Sequence, residues 1–525
     1  MGNTMARTAE QITIVGAGPG GLAAAMLLAQ TGARVTVIER KSGVGGRCSA
    51  IEREGFRFDV GPTFFLYPRV LEEIFRTVGR DLWSEVPMTR LDPQYRLMFG
   101  GGGKLDATPD LDGMEREIAT LSPADAPSFR RFMNENRRKL EKFRPILENP
   151  FSSMLDLARP EVLAAAPWVK PWLSVGGDLQ RLFKDPRLVT AFSFQSKYLG
   201  MSPFQCPSLF TILAFLEYEY GVFHPEGGCS AVSDQMARIT REMGVEIRLG
   251  ESVESLDLRG RKVVGVETDE GYYPTDALVI NGDFAKTVPK LVPNELRRSW
   301  NDRRIQRAKY SCSTFMMYLG IKGRYDDLPH HTIFLTEDLH KNIDQIQHSK
   351  VLPESPSFYI QNASINDPTL APQGMSTLYV LVPVANLEGQ TEWTPAQEAQ
   401  FREFALKRLE AIGLTDLKDR IVTEKIMQPQ RWHDELDVYK GATFNLSHTL
   451  TQMLAFRPRN RFEDLDGVYL VGGGTHPGSG LPVIFESARI STRLMAEDMG
   501  FNLDAVDRED LEPSSVAGLQ LEQAS

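Results

Sequence analysis

At 525 residues, with 42% apolar and 24% charged side chains, the chain has material for roughly two to four globular domains around a large core. Its 69 acidic against 59 basic residues leave a net charge of −10, which argues against a nucleic-acid partner. Cys48, Cys206, Cys229 and Cys312 are scattered without CxxC spacing or histidine pairs, so neither a disulfide framework nor a metal site is expected, and a reducing compartment fits best.

The opening residues carry no basic-then-apolar signal pattern, and Ala6 stands where myristoylation after Gly2 would want Ser or Thr. Residues 12–40 then read strand (Ile12 to Val15), glycine turn, alanine-rich helix and second strand (Val35 to Ile38) ending in Glu39. Gly16, Gly18 and Gly21 match G-x-G-x-x-G. The first permits the tight turn, the second lets backbone approach a pyrophosphate, and the third lets the helix pack close to the strand. The helix N-terminus offers free N–H groups and partial positive charge to phosphates. Glu39, 18 residues after Gly21, is placed to meet a ribose hydroxyl pair. These residues alone leave flavin and nicotinamide dinucleotides both open.

The next stretch narrows the choice. Glu39-Arg40 is followed by Gly45-Gly46-Arg47 and then by Gly61-Pro62-Thr63. A nicotinamide enzyme has no evident use for the second glycine pair and arginine, whereas a longer dinucleotide with a diphosphate to neutralise and a tricyclic ring to bury has one. This order resembles the amine-oxidase-like superfamily of FAD flavoproteins.

Residues 101–220 are rich in helix signals. Within them, Tyr198 to Leu216 is uncharged but broken by Gly200, Pro203 and Pro207, and it suits a pocket lining better than a membrane span. From Gly244 to Asp283 the pattern is strand, strand, hairpin at Arg259-Gly260-Arg261, strand, and a return strand ending at Asn281. Four further strand-like runs, 313–321, 331–335, 358–362 and 377–383, suggest one antiparallel sheet. Residues 466–491 repeat the opening theme, with a buried strand (Val468 to Val471), a glycine loop containing Gly473 and Gly474, and a new helix.

In that loop Thr475-His476-Pro477-Gly478-Ser479-Gly480-Leu481-Pro482 is similar to the C-terminal signature of the carotenoid desaturases, and the likeness extends from about residue 11 to 500. Val483-Ile484-Phe485-Glu486-Ser487 departs from the Gly-Val form common in phytoene desaturases, which leaves the branch and the polyene open. The resemblance implies an α/β fold: a discontinuous Rossmann-like FAD-binding domain (1–100, 221–285, 461–505), a helical membrane-facing region (101–220), an antiparallel-sheet substrate domain (286–460) and a disordered tail (506–525). It further implies that Val253 offers its backbone to the adenine, and that Pro482 and Val483 belong to the flavin site. The expected activity is desaturation of a phytoene- or dehydrosqualene-like polyene, with oxygen or a quinone as electron acceptor. Within the superfamily, a carotene oxygenase, ketolase or isomerase, or an amine oxidase, stays open, although no cysteine follows Cys312 to tether a flavin. A non-catalytic prenyl-binding protein is the remaining alternative, opposed by the intact glycine motifs.

No Ser-His-Asp order or metal cluster is visible, so the organic cofactor carries the reaction. His224, His476 and Glu486 are the candidate bases, each with a structural alternative: bracing the Pro225–Gly227 turn, bonding its own loop, and charging the first turn of a helix. His330 and His331 are adjacent on a strand and so point to opposite faces, which makes them structural or pocket-lining. A polyene of thirty or forty carbons costs more than ~20 kcal/mol to leave in water, so it must be collected from a membrane. Residues 129–144, with seven basic and two acidic side chains, and Trp168, Lys170 and Trp172 suit peripheral docking on the cytoplasmic side.

Overall fold

The computed structural model describes residues 9–506. The stretch 507–525, which holds nearly all of the expected tail, lies outside the described residues, and Val506 is buried in the core.

The fold is mixed α/β. Strands Glu246–Leu249, Arg34–Glu39, Gln11–Val15, Ala277–Ile280 and Val468–Leu470 form a parallel sheet in that spatial order. The three central runs, ITIV, VTVI and ALVI, are β-branched and apolar, as strands covered on both faces must be. The opening helix Pro19–Ala29 is buried from Gly20 to Leu28, and the C-terminal helix Leu481–Met499 and the helix Cys229–Glu242 pack against it. Its apolar surface on every side is the mark of a helix enclosed by neighbours. The meander has one more strand than the sequence pattern indicated. Val253–Arg259 and Lys262–Thr268 pair as a hairpin, and the short Tyr272–Pro274 adds to the second of them.

A seven-stranded sheet stands opposite, in the order Ile421–Met427, Ser313–Lys322, Met375–Val384, Phe358–Gln361, His331–Leu335, Tyr95–Phe99, Lys104–Ala107. It contains the four runs read from the sequence, but it is not purely antiparallel. His331–Leu335 pairs in parallel with Tyr95–Phe99, a strand more than 200 residues earlier in the chain. Alternation divides strand Ser313–Lys322 between two tasks. Phe315, Met317, Leu319 and Ile321 pack with Phe401, Leu406 and Leu409 of the covering helix Pro395–Glu410. Thr314 and Met316 point the other way, into the cleft between this sheet and the parallel one.

The helical region is closed by an aromatic core. Phe183 and Phe192 stack at 4.8 Å, with Phe129, Phe132 and Tyr218 around them. In helix Ser128–Leu147 the buried residues Phe129, Phe132, Met133, Asn136, Lys139, Leu140 and Phe143 recur at three- and four-residue steps. Leu140 and Phe143 reach the wall of the cleft.

Candidate active site

The two glycine turns, more than 450 residues apart in sequence, lie against each other. A Cβ on Gly20 would stand 2.6 Å from Val471 and 3.0 Å from Ile484 of the C-terminal turn and helix. A Cβ on Gly21 would be 2.1 Å from the Gly16 carbonyl, so only glycine lets this helix approach its strand. Asn281, at the end of the return strand, donates to the Gly16 carbonyl at 3.1 Å. The helices starting at Pro19 and Leu481 both begin without a side-chain cap, and both N-termini open on one cavity of about 610 Å3.

Glu39 is buried at the mouth of the first turn. Its Oε2 accepts the Ala17 N–H and its Oε1 the Lys41 N–H, both at 2.9 Å, which fixes the carboxylate and leaves each oxygen a further lone pair. Arg40 lies beside it on the wall and pairs with Asp437 at 2.6 Å. Gly45 donates to the Ala17 carbonyl at 2.8 Å, locking the second glycine pair onto the first turn. A Cβ on Gly61 would come within 2.6 Å of the Arg47 carbonyl. Arg47 is the cation this packing encloses. It donates to the Thr443 carbonyl at 3.1 Å, and the Asn445 amide accepts from both its terminal nitrogens while donating to Asp283. Burial lowers the Arg47 pKa against the pull of Asp283, and burial raises that of Asp283 against the pull of Arg47.

Gly16, Gly18, Glu39, Arg40, Gly46, Arg47, Gly61, Pro62, Thr63, Val253, Gly473, Pro482 and Val483 all line the cavity. Gly21, Gly45 and Gly474 stand behind the wall as packing positions, the last with Phe284 2.6 Å from where its Cβ would be. The Val253 carbonyl accepts from Lys290 at 3.1 Å. Sequence reasoning missed Asp283, Thr443 and Asn445, which are polar residues without a local motif. Among the described residues, Asp283 Oδ1 and Thr443 Oγ1 are buried without a partner. An uncapped pair of helix N-termini, an enclosed arginine, a fixed carboxylate and spare polar atoms suit an elongated diphosphate dinucleotide, and the residues present therefore fit FAD.

Beyond Thr63 the wall becomes aromatic and aliphatic. The Tyr359 hydroxyl bonds Thr63 Oγ1 and His331 Nδ1, each at 2.8 Å, and Phe64 stacks on the His331 ring at 4.0 Å. Burial holds the His331 pKa well below the ordinary range, so the ring is neutral. Its neighbour His330 precedes the strand, so the two rings do not take opposite faces but meet edge to face at 4.4 Å, and His330 bonds Asn366 at 2.9 Å and Gln361 at 3.2 Å.

The three candidate bases fare differently. His224 is off the cavity wall, bonded to Asp367 at 2.9 Å, and Asp367 also takes the Gly227 N–H at 2.8 Å, so this pair braces the turn. His476 is likewise off the wall, with Nε2 at 3.1 Å from the Asn149 carbonyl and its pKa pushed by burial down to about 3. Glu486 does reach the wall, paired with Arg489 at 3.0 Å, and Arg489 also holds Glu73 at 2.8 Å.

Burial would raise the Asp367 pKa, but bonds from His224, Thr369 and the Gly227 amide hold it at about 2 rather than 3.8. A depressed carboxylate stabilises the fold fully above its unfolded pKa and loses that contribution as pH falls through the folded value. Denaturation of wild type should therefore show stability declining between about pH 4 and pH 2 with a steeper slope than in Asp367→Asn. Equal slopes would contradict the assignment.

A family model described as flavin containing amine oxidoreductase matches residues 19–498. The chain is 42% identical to a 4,4'-diapophytoene desaturase (4,4'-diapolycopene-forming) of Methylomonas sp, over 94% of this chain and 96% of that one. It is 39% identical to an all-trans-zeta-carotene desaturase of Myxococcus xanthus, over 94% of each. Among solved structures, putrescine oxidase bound to putrescine superposes with a TM-score of 0.61 at 14% identity, covering 94% of this chain and 99% of that one, a likeness of fold. The chain thus belongs to the flavin-containing amine oxidoreductase family, among its carotenoid desaturases, and its cofactor is FAD.

Proposed function

We propose that this protein desaturates a long isoprenoid polyene, phytoene- or dehydrosqualene-like, by hydride transfer to FAD. The observation that carries the reading is the continuity of the cavity. It begins at the glycine turns and Arg47 and runs on between Leu140, Phe143, Leu213 and Leu216 of the helical region. A cavity of that composition recognises length and shape rather than charge. The desaturase activities of the two relatives named above support the same substrate class.

When bound, FAD supplies the two-electron acceptor. Gly16, Gly18 and the first turn of the opening helix would take the diphosphate, Glu39 the ribose, Arg40, Arg47 and Thr63 the adjoining polar groups, and Pro482 and Val483 the ring, while Val253 would border the adenine. Sheet residues Thr314, Met316 and Leu381 confine the polyene from one side and exclude water. Oxygen or a quinone would take up the electrons.

The polyene arrives from a membrane, at its cytoplasmic face. Among the described residues no helix is long and apolar enough to cross one. The basic helix is poorly suited to carry the contact alone, because Arg130, Arg131, Arg137 and Arg144 pair with Glu115, Glu135, Glu219 and Glu148, and Lys139 is buried against Asp178. The apolar exposure lies just beyond it. Leu155 is 82% exposed and Trp172 71%, with Met154 and Leu163 nearby in sequence. Helix Pro160–Val169 packs on the basic helix, whose inner side chains line the cavity, so a docked surface at this patch adjoins the substrate's path.

The direct test is expression in cells making the thirty- or the forty-carbon precursor, with pigments read by absorbance and mass. New conjugated product in either host is expected; unchanged precursor in both, with FAD bound, would refute the activity. In Glu39→Ala the FAD dissociation constant should rise about ten- to hundredfold, the loss of hydrogen bonds to a charged acceptor. Undiminished flavin absorbance per protein would remove Glu39 from the site. The double substitution Leu155→Glu with Trp172→Glu should lower partition onto phosphatidylglycerol vesicles more than about tenfold, since each side chain contributes about 1.5–3 kcal/mol when buried. Its flavin content should stay unchanged.

A further inference from the structure

Removing a hydride from a polyene leaves an allylic cation, and a double bond forms only when the neighbouring carbon gives up a proton. None of the groups discussed above is free to take it. Glu39 holds two backbone amides and is assigned to the ribose, and Asp283 is set against the Arg47 charge. Glu486 pairs with Arg489, and Glu148, also on the wall, lies between Arg69 and Arg144.

A further carboxyl, deeper than these, is buried with no cation beside it. Glu217, on helix Ile212–Tyr220, is 0% exposed. Its Oε2 accepts from the Tyr95 hydroxyl and from Gln195 Nε2, both at 2.9 Å. The titratable groups that face it are phenols alone: Tyr95 from the seven-stranded sheet, Tyr198 from the segment Phe194–Leu199, and Tyr218 on its own helix, the last bonded to Tyr95 at 3.0 Å. Lys197, next to Tyr198 in sequence, turns instead toward Cys312. Three atoms of the cluster make no conventional hydrogen bond, Glu217 Oε1, Gln195 Oε1 and the Tyr198 hydroxyl, and Tyr198 and Glu217 are close enough for each to shift the other's pKa.

Tyr198 lines the cavity, so Glu217 is connected to the substrate through it. The position is also near the cofactor end. Phe64, which follows Gly61-Pro62-Thr63 directly, packs on the Tyr198 ring at 5.6 Å. Two residues past Tyr198, Gly200 is pressed against Ser311 and Phe444 so closely that a Cβ would come within 2.7 Å and 2.8 Å of their side chains, and Phe444 lies between Thr443 and Asn445 of the Arg47 network.

We propose, resting on the desaturase reading above, that Tyr198 and Glu217 are the proton acceptor of the reaction. As the hydride leaves with two electrons for the flavin, the adjacent C–H bond of the cationic polyene breaks and its electron pair forms the double bond. The proton goes to the Tyr198 oxygen while the Tyr198 proton passes to the Glu217 carboxylate. The carboxylate becomes a neutral carboxyl and the phenol is regenerated. Tyr198 touches the substrate and is a catalytic residue; Glu217 acts through it and is a positioning residue.

Burial lifts the Glu217 pKa to about 7, against the bonds from Gln195 and Tyr95 and the nearby Tyr198 phenol, so its accepting form is lost as pH falls through neutrality. Turnover of the FAD-loaded enzyme should fall on the acid side with an apparent pKa near that value. In Glu217→Gln and Tyr198→Phe, turnover should drop by about a hundredfold or more at unchanged flavin content, and the acid limb should vanish. Wild type should also show an infrared carboxyl band that appears as pH is lowered through the same range and is missing in Glu217→Gln. Active variants that keep the wild-type acid limb would overturn the proposal. If Glu217→Gln does not fold, Tyr198→Phe and the wild-type infrared titration decide: a band shifted by Tyr198→Phe supports the relay, and no titrating band overturns it. A wild type that binds FAD yet turns over neither polyene refutes the desaturase reading, and this proposal falls with it.

Discussion

The structure depends on a steric constraint, the absence of side chains where two glycine turns meet. Gly20 and Gly21 leave no room for a methyl group between the opening helix, its own strand and the C-terminal turn at Val471 and Ile484. This contact places the ends of strands Gln11–Val15, Ala277–Ile280 and Val468–Leu470 beneath one cleft and aims two helix N-termini into it. Asn281, on the middle strand, ties the arrangement by its bond to the Gly16 carbonyl. Once the turns are joined, the electrostatics follow: positive partial charge from two helices, an enclosed Arg47, and acids at fixed distances from both.

The cavity beyond the cleft obeys a different rule. Its walls are apolar where the polyene would lie, so the polar groups that remain there are conspicuous by cost, because burying an unpaired donor or charge is unfavourable by several kcal/mol. Most are neutralised locally. Tyr359 bonds Thr63 and His331, and Arg144 of the basic helix is matched by Glu148. The Glu217 cluster differs in sign, a carboxyl held by phenols and an amide.

What could be read from sequence was what has a local cause. Glycines that need positive φ or close approach sit at fixed spacings next to strands and helices, so Gly16, Gly21 and Gly45 announce their geometry within a few residues. Glu39 is marked by its distance from them. Features set by contacts distant in sequence gave no such sign. The parallel pairing of His331–Leu335 with Tyr95–Phe99 joins segments with no shared pattern. Glu217 lies in ILAFLEYEY, where an acid on a helix looks like a solvated one, and only Tyr95, 122 residues away, reveals its burial. His224 and His476 stood out because they flank recognisable motifs, yet the structure turns both into braces for the loops that carry them.

The route of the chain through the parallel sheet has a consequence for divergence. The dinucleotide cleft is assembled from three separated stretches, and the helical and sheet-bearing segments are spliced between them, entering and leaving at strand ends. Changes within those segments can reshape the apolar part of the cavity while leaving Gly16, Gly18, Gly20 and Gly21 untouched, provided Thr443 and Asn445 keep their hold on Arg47. A lineage built this way can explore new lipid substrates while its redox apparatus stays fixed.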